Sequence, residues 1–176
     1  AMTPISSITQ VYIDSSLVKG TPLEEGMRAI YDTSLSLGTF VDSYRKLTQL
    51  QSPHIEEVAL IDVLSTVRML YPQVEWHVDL ENKQMRVLAD SGLMRQVLVN
   101  IVKNAVEAGA RNVDLRIDAD GKMAQMLVSN DATPIPPEVA REIFVPFFTT
   151  KASGSGIGLP LARQMMLAQE GSLSLA

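Results

Sequence analysis

The stretch SGLMRQVLVNIVKNAVEAGA, residues 91–110, restricts the fold of this chain more than any other. At about 100° per residue, Gln96, Asn100, Lys103, Asn104 and Glu107 fall within an arc of roughly 100°, while Leu98, Val99, Ile101, Val102, Ala105 and Val106 take most of the remaining circumference. A surface helix has the opposite balance. A helix apolar on most sides must be buried, and its narrow polar stripe must face either a protein polar network or a wet cleft. Asn100 and Asn104, one turn apart, are poor helix formers, so their presence asks for a reason. One reading is a satisfied buried network with Lys103 and Glu107 as an i,i+4 pair. The other uses asparagine as a neutral oxygen ligand for a hard cation that arrives with phosphate oxygens, as magnesium does.

The layers that bury this helix are legible around it. EVALIDVLSTVRML reads as a short strand entering a helix; VEWHVDL alternates with Val74, Trp76, Val78 and Leu80 on one face, and MRVLAD follows. VDLRIDADGKMAQMLVSN is a hairpin, with Val113, Leu115 and Ile117 alternating, a turn at Asp120-Gly121 and a return through Val128. Helices are expected at about 91–108, 136–143 and 158–169. The expected fold class is α+β: a two-layer sandwich whose mixed sheet is covered by helices on one face.

Residues 1–52 read differently, as a helical hairpin ahead of the domain at 53–176. Thr21, Pro22 and Glu24 supply an N-cap, a first helical position and a capping-box acid. Positions 23, 27, 30, 34, 37, 41, 44 and 48 carry Leu, Met, Ile, Ser, Leu, Val, Tyr and Thr, a mostly apolar seam. Such a seam is buried either against the hairpin's own domain or, better, by a second copy in a dimeric four-helix bundle. Ala1 enters what already reads as a helix and GSLSLA stops within an alternation, so a fragment with a truncated C-terminal strand is expected.

Composition removes several functions. With 176 residues, 46% of them hydrophobic, the chain can build one sizeable core. A net charge of −5 offers no basic face for nucleic acid. The absence of cysteine, and the separation of His54 from His77, argue against a zinc site. No apolar run has the length of a membrane span, so the expectation is a soluble, cytoplasmic piece without direct membrane contact, membrane anchoring of the full-length protein being left open.

PFFTTKASGSGIGLP, residues 146–160, carries Gly154, Gly156 and Gly158 just before a helix, an arrangement that admits close backbone approach to an anion. A dinucleotide-binding fingerprint needs a strand before the glycines and an acid about twenty residues later, and neither is present. A Walker A loop needs Gly-Lys-Ser/Thr, also absent. Phe144, Phe147 and Phe148 read as anchors for the base of the loop.

Three segments in order resemble the boxes of one family. VLVNIVKNAVEAG resembles the N box, IFVPFFTTK the F box and GSGIGLPLARQMM the G2 box of the ATP-binding domain of sensor histidine kinases, relatives of gyrase and the Hsp90 chaperones. FVDSYRKLTQL is similar to the second helix of that family's dimerisation and phosphoacceptor hairpin. The resemblance implies ATP and Mg2+ as ligands, a homodimer, a response-regulator receiver domain as partner, and a phosphorylated histidine just upstream of Ala1. It implies Asn104 and Asn100 at the metal, Lys103 near the phosphates, and Thr149, Thr150 and Lys151 in a lid. Gly154, Gly156, Gly158 and Leu159 are implied as the hinge and its phosphate contacts. Where hydrolytic relatives carry a glutamate, this chain has Asn100, which cannot be a general base at neutral pH, so phosphoryl transfer to an imidazole fits better than hydrolysis.

One box departs from the family. NDATPIPPEV puts Asn130 at the adenine-reading aspartate and replaces two glycines by Ala132 and Pro134. Asparagine can accept from the exocyclic amine and donate to N1; alternatively Asp131 supplies a carboxylate through a shifted turn. The expected activity is Mg-ATP-dependent histidine phosphorylation followed by relay to an aspartate. The alternative is an inactive nucleotide-binding or scaffold module of the same fold.

Overall fold

The computed structural model describes residues 4–15, 18–48, 52–80, 84–120, 123–151 and 154–176. Gly121 of the expected hairpin turn, and the connections at 49–51 and 81–83, lie outside the described residues. The chain divides into two compact units, residues 1–49 and 50–176.

The first unit is a pair of packed helices, α1 (Pro4–Ile13) and α2 (Pro22–Thr48). Thr21 stands at the N-cap position, but its hydroxyl donates to the Val18 carbonyl at 2.6 Å, and Glu24 reaches back to the Gly20 N–H at 2.6 Å. The capping acid therefore closes onto the residue before the cap. Small polar side chains fill the contact between the helices: Ser6, Thr9 and Ser34 are buried, with the Thr9 hydroxyl donating back to Ile5. Ile5, Ile8, Leu23, Ile30, Leu37 and Val41 stay exposed, so the described part of the α2 seam is largely uncovered within one chain.

The second unit contains β1 (Glu56–Ala59), α3 (Leu60–Leu70), β2 (Glu75–Leu80), β3 (Arg86–Ala89), α4 (Ser91–Glu107), β4 (Asn112–Asp120), β5 (Met123–Asn130), α5 (Pro137–Ala140) and α6 (Gly158–Ala168). Strand order β2-β4-β5 combines a parallel and an antiparallel ladder, so this sheet is mixed, and β1 pairs antiparallel with β3 in a separate two-stranded ribbon. A parallel β2–β4 pair needs a crossover, and β3 with α4 provides it.

Register sets the inner face. Trp76 pairs with Val113 and Val113 with Asn130; Val78, Leu115 and Val128 form the next row, and Leu80, Ile117 and Met126 the third. Leu115 and Ile117 from the sheet, Leu60, Val63, Leu64 and Val67 from α3, and Leu98 and Val102 from α4 make one buried core. The apolar circumference of α4 is thereby used, with α3 on one flank and α6 packed on another. This is the two-layer α+β sandwich expected from the strand alternation.

Helix α5 is shorter than the expected 136–143. After one α-helical turn closed by Ala140 N–H to Pro136 O, the chain tightens into i→i−3 bonds, Glu142 to Val139 and Val145 to Glu142. At the other end of the unit, Asp90 caps α4 by accepting from Leu93 N–H at 2.9 Å and also holds His54 N–H at 2.8 Å. Those N–H donors, Leu93 first, keep its carboxyl below the usual range. Gln169, just past α6, accepts from Asp90 N–H at 3.0 Å and so joins the ends of the two helices.

Candidate functional site

The polar stripe of α4 faces the start of α6. A methyl group placed on Gly158 would lie 3.7 Å from Asn100 Oδ1 and 3.9 Å from Asn104 Nδ2, so both asparagines point at the first residue of that helix. Helix α6 has no side-chain cap. The N–H groups of Gly158 and Leu159, in its first turn, have no intrahelical acceptor, and Pro160 has no N–H at all. Beside them, Asn100 Nδ2 is buried without a hydrogen-bond partner among the described residues. An unpaired buried amide is costly, and the oxygen of the same side chain lies beside a helix end that favours anions.

The glycine loop closes onto this place by its neck. Phe147 N–H donates to Gly156 O at 2.9 Å, and both residues have positive φ, 69° and 64°. A Cβ on Gly156 would collide with the Phe147 carbonyl carbon and approach Phe148 O at 2.6 Å. Backbone packs on backbone there, so glycine is required for space and for φ. Gly154 and Gly158 do not have positive φ: Gly154 leaves room for the Thr149 hydroxyl, and Gly158 forms the wall above the asparagines. The anchoring role expected of three phenylalanine rings is divided differently. Phe144 and Phe148 are half-buried, with Arg163 stacked 5.1 Å from the Phe144 centroid, whereas Phe147, 37% exposed, anchors through its backbone.

Within the loop Thr149 Oγ1 accepts from Lys151 N–H at 3.1 Å, and Gly154 N–H donates to Lys151 O at 3.1 Å. Thr150 is exposed. The turn aims Lys151 at α4: its Nζ lies 2.6 Å from Glu107 Oε2 and 3.2 Å from Asn104 Oδ1. Lys103 forms the i,i+4 contact with Glu107 at 3.6 Å. Glu107 is thus shared by two lysines, and its carboxyl is held below the usual range, chiefly by the hydrogen bond from Lys151.

The adenine-reading candidates separate cleanly. Asn130 stands in the row of Val113 and Trp76, on the helix-covered face of the sheet, and its Oδ1 accepts from Ala132 N–H at 3.1 Å. Asp131 points elsewhere. Its Oδ1 accepts from Arg111 and Asn112 N–H at 2.8 and 2.9 Å and its Oδ2 from Asn112 Nδ2 at 2.7 Å, which lowers its pKa to about 2, the Asn112 backbone N–H contributing most. The expected shifted turn that frees Asp131 for a ligand is therefore not the arrangement found: both its oxygens cap the start of β4. Sequence reasoning missed this cap, and the one available signal was an Asn-Asp pair across a predicted hairpin.

The donor set at the stripe suits a phosphate-borne metal better than a protein-made one. Among the described residues no group of three or more His, Cys, Asp or Glu is placed to hold a metal ion. Asn104 offers one neutral oxygen, and an octahedral magnesium would complete its shell from phosphate and water.

Comparison with known proteins agrees with this geometry. The histidine kinase-, DNA gyrase B-, and HSP90-like ATPase family matches residues 89–176, half of the chain, and the chain belongs to that family. Its relatives include the signal transduction histidine-protein kinase AtoS of Escherichia coli, 35% identical over 59% of this chain and 18% of AtoS. The sensor histidine kinase GlrK of the same organism is 29% identical over 98% of this chain and 40% of GlrK. The chain therefore spans less than half the length of either. Among solved structures, the catalytic domain of histidine kinase ThkA superposes with a TM-score of 0.60 at 30% identity, over 66% of this chain and 82% of that domain. Within the family, these likenesses make the matched part of the chain a histidine-kinase-type ATPase core. No described helix is long and apolar enough to cross a membrane.

Proposed function

We propose that this chain is the kinase core of a sensor histidine kinase, which binds Mg-ATP and transfers the γ-phosphoryl group to a histidine preceding Ala1, for later relay to a response-regulator aspartate. The observation that carries the reading is the partnerless Asn100 amide buried beside Asn104 and the uncapped start of α6. Asn100 Nδ2 and the N–H groups of Gly158 and Leu159 donate to phosphate oxygens, and Asn104 Oδ1 holds the metal. Magnesium, when bound, supplies charge neutralisation on the triphosphate. Thr149, Thr150 and Lys151 cover the phosphates while the Phe147–Gly156 clip fixes the neck of the loop. Asn130, on the helix-covered face, reads adenine.

No carboxylate stands at position 100 to activate water, so catalysis rests on positioning and electrostatics. The exposed apolar residues of α1 and α2 pair with a second copy in a four-helix bundle, and the domain boundary is placed at 52/53. The altered adenine box, with Ala132 and Pro134, favours as second reading a module that binds nucleotide weakly and does not turn over. Incubating the full-length protein with γ-labelled ATP and magnesium distinguishes the two. The kinase reading predicts an acid-labile, base-stable phosphoprotein that disappears in Asn104→Ala; no label on a folded protein that binds ATP would establish the second reading.

A further inference from the structure

An acidic side chain in a cleft for phosphates is a liability, since it repels the ligand. Glu107 is exposed, one turn beyond Asn104 on the same face of α4, so its carboxylate stands beside the phosphate-facing stripe and needs a reason to be there. The reason on view is Lys151. A lysine ammonium has three donors and no acceptor; two of these donors are used, on Glu107 Oε2 at 2.6 Å and Asn104 Oδ1 at 3.2 Å. The second contact is with the oxygen assigned above to the metal.

We propose that Lys151 is the cleft's own counter-cation and Glu107 its parking residue: the ammonium occupies the Asn104 oxygen in competition with magnesium, and Mg-ATP enters by exchanging one cation for the other. This rests on the nucleotide reading of the site. A magnesium ion sits about 2.1 Å from its oxygen ligand, so ion and ammonium on the same oxygen would stand about 5 Å apart, where their mutual repulsion disfavours joint occupancy. Mg-ATP remains anionic overall, so the displaced ammonium has a new partner in the phosphates. The loop geometry suits this exchange. Lys151 lies between Phe147 and Gly156, the pair that clips the neck, and among the described residues its Nζ is held only by side chains of α4, so a change of the lysine's rotamer leaves the Phe147–Gly156 hydrogen bond intact. Glu107 thereby sets the threshold for nucleotide entry without touching the nucleotide.

The test is a double-mutant cycle on Mg-ATP affinity, measured by calorimetry on this chain with Glu107→Gln, Lys151→Gln and both. Glu107→Gln removes the charge that parks the lysine and keeps its shape. The expected result is about three- to tenfold tighter Mg-ATP binding, the scale of one partly exposed charge-assisted contact, with the gain vanishing in the Lys151→Gln background. An unchanged or weaker affinity in Glu107→Gln overturns the proposal. So does a gain that persists without Lys151, because Glu107 would then merely repel phosphate. A parent chain that binds no Mg-ATP overturns the nucleotide reading itself, an outcome distinct from a binding parent with a flat cycle.

Discussion

Replacing Gly156 by alanine tests how the glycine loop is held. The residue has φ 64°, and a Cβ would collide with the Phe147 carbonyl carbon while standing 2.6 Å from Phe148 O and 2.8 Å from Phe147 Cα. Left-handed φ costs a non-glycine residue about 1–2 kcal/mol. The contacts are with backbone, which cannot rotate away, and displacing a packed backbone adds about 1–3 kcal/mol. The whole strain is therefore about 2–5 kcal/mol if the neck stays shut. Opening the neck sheds part of it, at the loss of the Phe147–Gly156 hydrogen bond, about 1 kcal/mol. The stability loss is accordingly expected between about 1 and 3 kcal/mol. Trp76, the sole tryptophan and half-buried in β2, reports this unit's unfolding in urea. Because the neck places Lys151 and the start of α6, Mg-ATP affinity should fall about tenfold as well, equivalent to about 1.4 kcal/mol. A variant within about 0.5 kcal/mol of the parent that binds Mg-ATP equally well would refute the backbone-clip argument.

Gly158→Ala should behave in the opposite way, since its Cβ meets only ordinary contacts at 3.7 and 3.9 Å: stability holds within about 0.5 kcal/mol, while the methyl over Asn100 and Asn104 weakens Mg-ATP binding in the same calorimetric assay. Glu170 sits at φ 61° after α6, with Gly171 N–H on Met166 O and Glu170 N–H on Leu167 O, a Schellman ending with a non-glycine in the left-handed position. Glu170→Gly should stabilise the unit by about 1 kcal/mol in urea unfolding. Asp131, held at about 2 against an ordinary 3.8, contributes stability that is complete above about pH 4 and lost as pH falls toward 2. The stability gap between the parent and Asp131→Ala should therefore be widest near neutral pH and narrow across that acidic window; a gap independent of pH would contradict the cap.

What could be read from the sequence was whatever repeats locally. The period of α4 isolates Asn100 and Asn104, and two-residue alternation finds Trp76, Val78, Leu115 and Ile117 on one face, because neighbours in the chain report the same burial. Long-range contacts were not readable in this way. Lys151 reaches Glu107 and Asn104 across 44 and 47 residues, and Asp131 reaches Asn112 across 19. None of these pairs leaves a periodic trace. The separation of β1–β3 from the main sheet is likewise a choice of pairing partner, which strand-like composition does not encode. The glycine triplet is a mixed case: the need for small residues shows in the sequence, but only the structure separates Gly156, governed by φ and space together, and Gly154, governed by space, from Gly158, where a Cβ would meet only ordinary contacts.

On the proposed reading, the α4 stripe and the start of α6 form a magnesium-dependent ATP site despite the altered adenine box. Titrating ATP into this chain by calorimetry, with magnesium and with chelator, tests it most directly. The prediction is saturable binding that magnesium strengthens and Asn104→Ala removes; a folded parent chain that takes up no ATP under either condition would contradict it.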